Sequence, residues 1–107
     1  MKEDILQINL VLFIRHNYPG LLFWHTPSGG YRHKMEASKF KRMGTIPGVP
    51  DLFFPSLKLF LELKTEKGKV SKVQKEVMAK LSACGYRCEV AYGLDEAKQI
   101  INSLHNH

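Results

Sequence analysis

The chain predicts a single mixed α/β domain over residues 1–107, with a central β-sheet that contains a hairpin and helices flanking it. Apolar residues recur at helical spacing in three segments, 3–17, 71–83 and 94–104. Short β-type runs bounded by Pro and Gly clusters lie between and after them. The 107 residues are 44% hydrophobic and 24% charged, a balance that supports one core and excludes wholesale disorder.

In chain order, residues 3–17 form a helix with Ile5, Ile8 and Leu12 on one face and Leu6, Leu10 and Phe13 widening it. Tyr18-Pro19-Gly20 ends that helix. Leu21 to His25 suits a short strand, and Pro27-Ser28-Gly29-Gly30 a loop. Residues 34–43 are polar and basic and read as a short helix or an ordered loop. After the breaker cluster Pro47-Gly48-Val49-Pro50, the runs Asp51 to Phe54 and Leu59 to Lys64 read as two strands. A turn around Pro55-Ser56 makes them a hairpin. Ser71 to Ala83 is a helix with Val73, Val77, Leu81 and Cys84 as its buried stripe, stopped by Gly85. Arg87 to Ala91 is a strand, and Leu94 to Leu104 a last helix with Ala97, Ile100, Ile101 and Leu104 on one face.

A formal charge of +6 favours polyanions such as nucleic acid or anionic membrane, without choosing between them. No apolar run approaches the roughly 18 residues that span a bilayer. The apolar segment Ile5 to Ile14 is interrupted by Gln7 and Asn9, and no small-residue cleavage site follows it. Two cysteines, Cys84 and Cys88, make no disulfide framework and no zinc-type ligand set. Core packing is the expectation for both, and a reducing cytoplasm for the chain.

The chemically informative stretch is Gly48-Val49-Pro50-Asp51, then ten residues, then Glu62-Leu63-Lys64. In a strand, Glu62 and Lys64 share one face and Leu63 points to the core. If the Asp51 strand pairs with the Glu62 strand, two carboxylates and one ammonium converge on one face. Clustered carboxylates need a cation, and oxygen ligands suit Mg²⁺ or Mn²⁺. Phosphodiester hydrolysis uses such an ion to activate water and to neutralise charge on the phosphate. Lys64 would then act on the attacking water or a phosphate oxygen, and the Leu63 carbonyl is a further hard donor. A Glu-x-Lys pair on a solvated hairpin face is the competing explanation.

Pro50-Asp51-x10-Glu62-x-Lys64 resembles the PD-(D/E)XK nuclease superfamily. More narrowly, Gly48-Val49-Pro50-Asp51-Leu52, Leu61-Glu62-Leu63-Lys64-Thr65 and Gly68-Lys69-Val70-Ser71-Lys72-Val73-Gln74 look like VRR-NUC domains. So do His25-Thr26-Pro27-Ser28-Gly29-Gly30 with Arg32, although the Ser28 position is commonly Asn in that family, and the Gly85-Tyr86 that precedes the last strand and helix. The resemblance implies a PD-(D/E)XK-like fold and a stand-alone, virus- or phage-type nuclease working in the host cytoplasm. It implies Mg²⁺ or Mn²⁺ held by Asp51, Glu62 and the Leu63 carbonyl, and a product that keeps its 5′-phosphate. It further implies a homodimer that prefers branched DNA such as four-way (Holliday) junctions.

Superfamily members often carry a further acid on the first helix, which makes Glu3 a candidate ligand. Glu3 equally suits a helix N-terminus, where an acid complements the dipole. Gln74 has two readings as well: resemblance places it in the site, and Ser71-x-x-Gln74 fits a capping box. Ser28, Gly30, Arg32, Lys34, Lys39, Lys41 and Arg42 form a candidate DNA-backbone clamp, with Lys67 and Lys69 as a second patch beside Lys72 and Lys75. His16, His33, His105 and His107 read as surface residues and His25 as structural. The main alternative function is a non-catalytic module that binds branched nucleic acid. A third is an interaction protein with a decayed site.

Overall fold

The computed structural model describes residues 2–27 and 34–106. Its elements are α1 (Glu3–Asn17), β1 (Trp24–His25), α2 (Lys34–Arg42), β2 (Leu52–Phe54), a 3₁₀ turn (Pro55–Leu57), β3 (Leu59–Lys64), α3 (Lys72–Ala83), β4 (Arg87–Tyr92) and α4 (Leu94–His105). The strands form one mixed sheet in the order β1-β2-β3-β4. β1, β2 and β3 are antiparallel neighbours, while β3 and β4 run parallel with α3 as the crossover.

β3 is the central strand, and its sequence Leu-Phe-Leu-Glu-Leu-Lys explains why. Leu59, Leu61 and Leu63 are buried on one face, beneath α1 and α4. Phe60, Glu62 and Lys64 occupy the other, toward α3. A strand covered on both sides reads as a nearly continuous apolar run, so the two charges in it stand out. Leu6, Leu10 and Ile14 of α1, Leu52 and Phe54 of β2, Ala91 of β4, and Ala97 and Ile101 of α4 complete the core. The Tyr18 hydroxyl, where α1 ends, donates to the Asn102 carboxamide of α4 and ties the two helices together.

Four expectations are corrected. The stripe Ile5, Ile8 and Leu12 faces outward, at 49, 60 and 60% exposure, and the buried stripe is Leu6, Leu10 and Ile14. A helix that is apolar around most of its circumference offers two stripes, and periodicity alone does not choose between them. The run Leu21 to His25 pairs only at Trp24 and His25, opposite Phe53 and Leu52, while Phe23 stacks its ring on Phe54 instead. Asp51 lies just before β2 rather than within it. The α3 stripe is not buried: Val77 and Leu81 are half-covered, while Val73 and Cys84 are exposed. α3 packs chiefly on β4, which covers only part of its apolar side. Cys88 is half-buried, and its thiol donates to the Met78 carbonyl at 3.6 Å.

Candidate active site

Pairing of Leu52 with Leu61 sets the register, so one further antiparallel step puts Asp51 opposite Glu62. The Leu63 amide donates to Asp51 Oδ2 at 2.7 Å. The Asp51 carbonyl accepts from the Thr26 amide at 2.9 Å and lies 2.9 Å from His25 Nδ1. Asp51 is therefore fixed from two sides, its carboxylate by β3 and its backbone by the end of β1. The hairpin packs Leu61 and Leu63 inward and thereby presents Glu62 and Lys64 on the opposite face, only 3% and 8% exposed. Lys64 Nζ lies 3.5 Å from Glu62 Oε2. Gln74 Nε2 donates to the same oxygen at 3.1 Å.

Both readings of Gln74 hold together. Its Oε1 accepts from the Ser71 amide and its own amide donates to Ser71 Oγ, a complete capping box at the start of α3. The cap pins the side chain and leaves its NH₂ group facing Glu62. Glu3 arrives from the start of α1, so that Glu3, Asp51 and Glu62 each place a carboxylate oxygen within 4.8 Å of the others.

Burial, ahead of every other cause, pushes the Asp51 carboxyl above its usual range. Burial and then the neighbouring Asp51 charge push Glu62 up to about 7, against the opposing pull of Lys64. Three converging acids and one ammonium form an arrangement in which a further positive charge relieves strain that the protein's own groups do not. The donors are all carboxylate oxygens, which fits a hard divalent ion such as Mg²⁺ or Mn²⁺. N–H and C=O of one strand residue point to the same edge, so the Leu63 carbonyl, like its amide, points to the Asp51 side.

Two glycines hold this geometry. Gly48 has φ +86°, and a Cβ there would meet Val73 Cγ1 at 2.9 Å, the Val73 carbonyl at 3.1 Å and the Gln74 amide at 3.2 Å. The approach to Asp51 thus lies directly on the first turn of α3. At Gly68 a Cβ would come within 3.2 Å of Lys64 Cβ, where the Thr65–Gly68 turn folds back on the lysine. Neither glycine was expected to act in positioning. The Pro-Gly-Val-Pro string is the available signal for Gly48, since such a breaker favours a left-handed residue. His25, expected to be structural, acts on the Asp51 backbone.

The basic candidates are less concentrated. Lys39, Lys41 and Arg42 are exposed in the last turn of α2. Lys67 and Lys69 are exposed on the turn after β3, between Lys64 and α3. Ser28, Gly30 and Arg32 lie outside the described residues, and Lys34 enters only as the first residue of α2. No helix among the described residues is long and apolar enough to cross a membrane.

Comparison with known proteins identifies the family of the fold. The VRR-NUC domain profile matches residues 2–95. A solved structure described as a VRR_NUC domain protein superposes with a TM-score of 0.84 at 27% identity, covering 99% of this chain and 89% of its own. No curated protein matches the sequence. The matched span runs from α1 into the first residues of α4 and contains every acid of the cluster, and the chain belongs to the VRR-NUC domain family.

Proposed function

We propose that this protein is a metal-dependent endonuclease that hydrolyses phosphodiester bonds in DNA, with Asp51, Glu62, Lys64 and Gln74 as its working residues. The observation that carries the reading is the convergence of Glu3, Asp51 and Glu62 within 4.8 Å, with Lys64 Nζ 3.5 Å from Glu62. Asp51, Glu62 and the Leu63 carbonyl would hold a Mg²⁺ or Mn²⁺ ion, with Glu3 as a further ligand. Such an ion supplies charge neutralisation and a water of lowered pKa. Asp51 is preorganised by the Leu63 amide, and Glu62 by the Gln74 amide. Lys64 places a positive charge beside the acids, where it stabilises negative charge growing on the phosphoryl oxygens. A non-catalytic DNA-binding module would have no use for a buried and a half-buried acid facing a polyanion, since each repels the ligand.

Branched DNA and a homodimer belong to the same proposal. The outward stripe Ile5, Ile8 and Leu12 has the three- and four-residue spacing of a helix-pairing seam, and a two-fold dimer suits a two-fold junction. Exposed Lys39, Lys41, Arg42, Lys67 and Lys69 supply charge for backbone contacts, and Ser28, Gly30, Arg32 and Lys34 are proposed to extend them. The test is incubation with a four-way junction, linear duplex and single strand, with Mg²⁺, Mn²⁺ or EDTA. Cleavage that requires the ion, is strongest on the junction, and is lost in Lys64→Ala while DNA binding persists is the expected result. Binding without ion-dependent cleavage would leave only the binding module.

A further inference from the structure

On the face of the sheet that carries Glu62, the row next to the acids is aromatic across β1, β2 and β3, and Cys88 continues it on β4. Trp24 of β1 pairs with Phe53 of β2, and Phe53 pairs with Phe60 of β3. Their rings form one connected group: Trp24 meets Phe53 edge-on at 5.2 Å, and Phe53 stacks on Phe60 at 4.3 Å. Tyr86, just before β4, stands edge-on to Phe53 at 5.7 Å and to Phe60 at 5.4 Å. Phe53 and Phe60 are half-covered, whereas Trp24 and Tyr86 remain 48% and 37% exposed. Asp51 and Glu62 lie two residues along the same strands, so the two rows are about 7 Å apart. That distance is about two stacked base steps of a nucleic-acid strand.

We infer that Trp24 and Tyr86, backed by Phe53 and Phe60, form a stacking site for an unpaired nucleobase of a DNA strand whose phosphate lies at the acids. The inference rests on the nuclease reading and gives it a feature that reads unpaired structure. Aromatic rings accept any base face, and such stacking needs no sequence-specific hydrogen bond. The chemistry separates this surface from the exposed stripe Ile5, Ile8 and Leu12, which is aliphatic and lies on the opposite side of the sheet with α1. A second copy seated on α1 leaves the aromatic row open, continuous with the acid site, on a chain of net charge +6. A duplex cannot offer a base to this row without unstacking it, whereas a branch point or a single strand can.

Trp24 is the only tryptophan in the chain, so its emission reports this surface alone. The experiment titrates the wild-type protein in EDTA with a short oligothymidylate and with an abasic oligomer of equal phosphate count. The expected result is quenching by the oligothymidylate and little by the abasic strand. In parallel, Trp24→Leu and Tyr86→Leu weaken oligothymidylate binding, read by anisotropy, by roughly five- to a hundred-fold, and leave duplex binding unchanged. Unchanged emission at saturation, or equal quenching by the abasic strand, overturns the inference. So does dissociation of a wild-type dimer by Trp24→Leu in sedimentation, which assigns the row to a second copy. With no divalent ion present, the outcome is independent of hydrolysis. Quenching by a protein that cuts nothing in Mg²⁺ keeps the stacking site and discards the nuclease, and junction cleavage with a silent Trp24 does the reverse.

Discussion

Glu62 makes the metal-free protein less stable as the pH rises, and Glu62→Gln should remove most of that dependence. An unfolded glutamate titrates near 4.5, while in the fold Glu62 is pushed up to about 7 by burial and by Asp51. Between those values the native state binds more protons than the unfolded chain, so stability falls across that window. Below 4.5 the group is neutral in both states and costs nothing. Above 7 it is charged in both, and the whole cost of burying the charge is present. At 1.36 kcal/mol per pH unit, the rise corresponds to about 3 kcal/mol as a ceiling. Asp51, also raised, adds to the slope in the same direction. A domain of this size shifts its Tm by about 4 °C per kcal/mol, so roughly 10 °C separates pH 5 from pH 8 in EDTA. Glutamine keeps an oxygen for the Gln74 amide but does not titrate. It also leaves Lys64 without its ion pair, so the pH slope is a cleaner readout than stability at one pH. Calorimetric melting of both proteins at pH 5, 6, 7 and 8 decides the matter. Parallel curves would refute the assignment of the buried, proton-holding carboxyl to position 62.

Other consequences separate structure from chemistry. Ser71→Ala should cost about 1 kcal/mol by removing the cap on α3 and spare ion-dependent cleavage, whereas Gln74→Ala should lose both; equal cleavage in the two variants would leave Gln74 a capping residue only. Gly48→Ala should destabilise the fold by at least 1–2 kcal/mol in denaturant unfolding, because a left-handed φ is disfavoured for alanine and the new methyl strikes α3; a neutral effect would mean that the Pro50-Asp51 segment is held elsewhere. Replacing Lys39, Lys41 and Arg42 together by glutamine should weaken duplex binding and reduce the slope of log K against log salt by up to about 3; an unchanged slope would place the DNA on another surface.

What was legible in the sequence follows from strand alternation. Glu62 and Lys64 flank a buried leucine in an apolar run, and β3 matches its expected bounds at both ends. The expected hairpin, if its strands paired, would bring Asp51 beside Glu62, and the Leu52–Leu61 pairing does so. The capping box was legible because it is a contact between residues three apart. The missed features depend on which partner an element meets. α1 offers two apolar stripes, and only α4 and β3 decide that Leu6, Leu10 and Ile14 go inward. β1 is short because only Trp24 and His25 find strand partners on β2. The exposed side of α3 reads as a core stripe by periodicity, because periodicity records amphipathicity and not the amount of sheet beneath a helix. Gly48 and His25 act on Asp51 through contacts with α3 and the end of β1, and no local pattern announces those.

The central claim is that the carboxylates of Asp51 and Glu62 share one divalent ion, and calorimetric titration of Mn²⁺ at pH 8 tests it most directly. The wild-type protein should show one saturable site, Asp51→Asn and Glu62→Gln should each remove its heat, and Lys64→Ala should retain it. Equal binding by the wild type and Asp51→Asn, or no binding by any of the four proteins, would contradict the account.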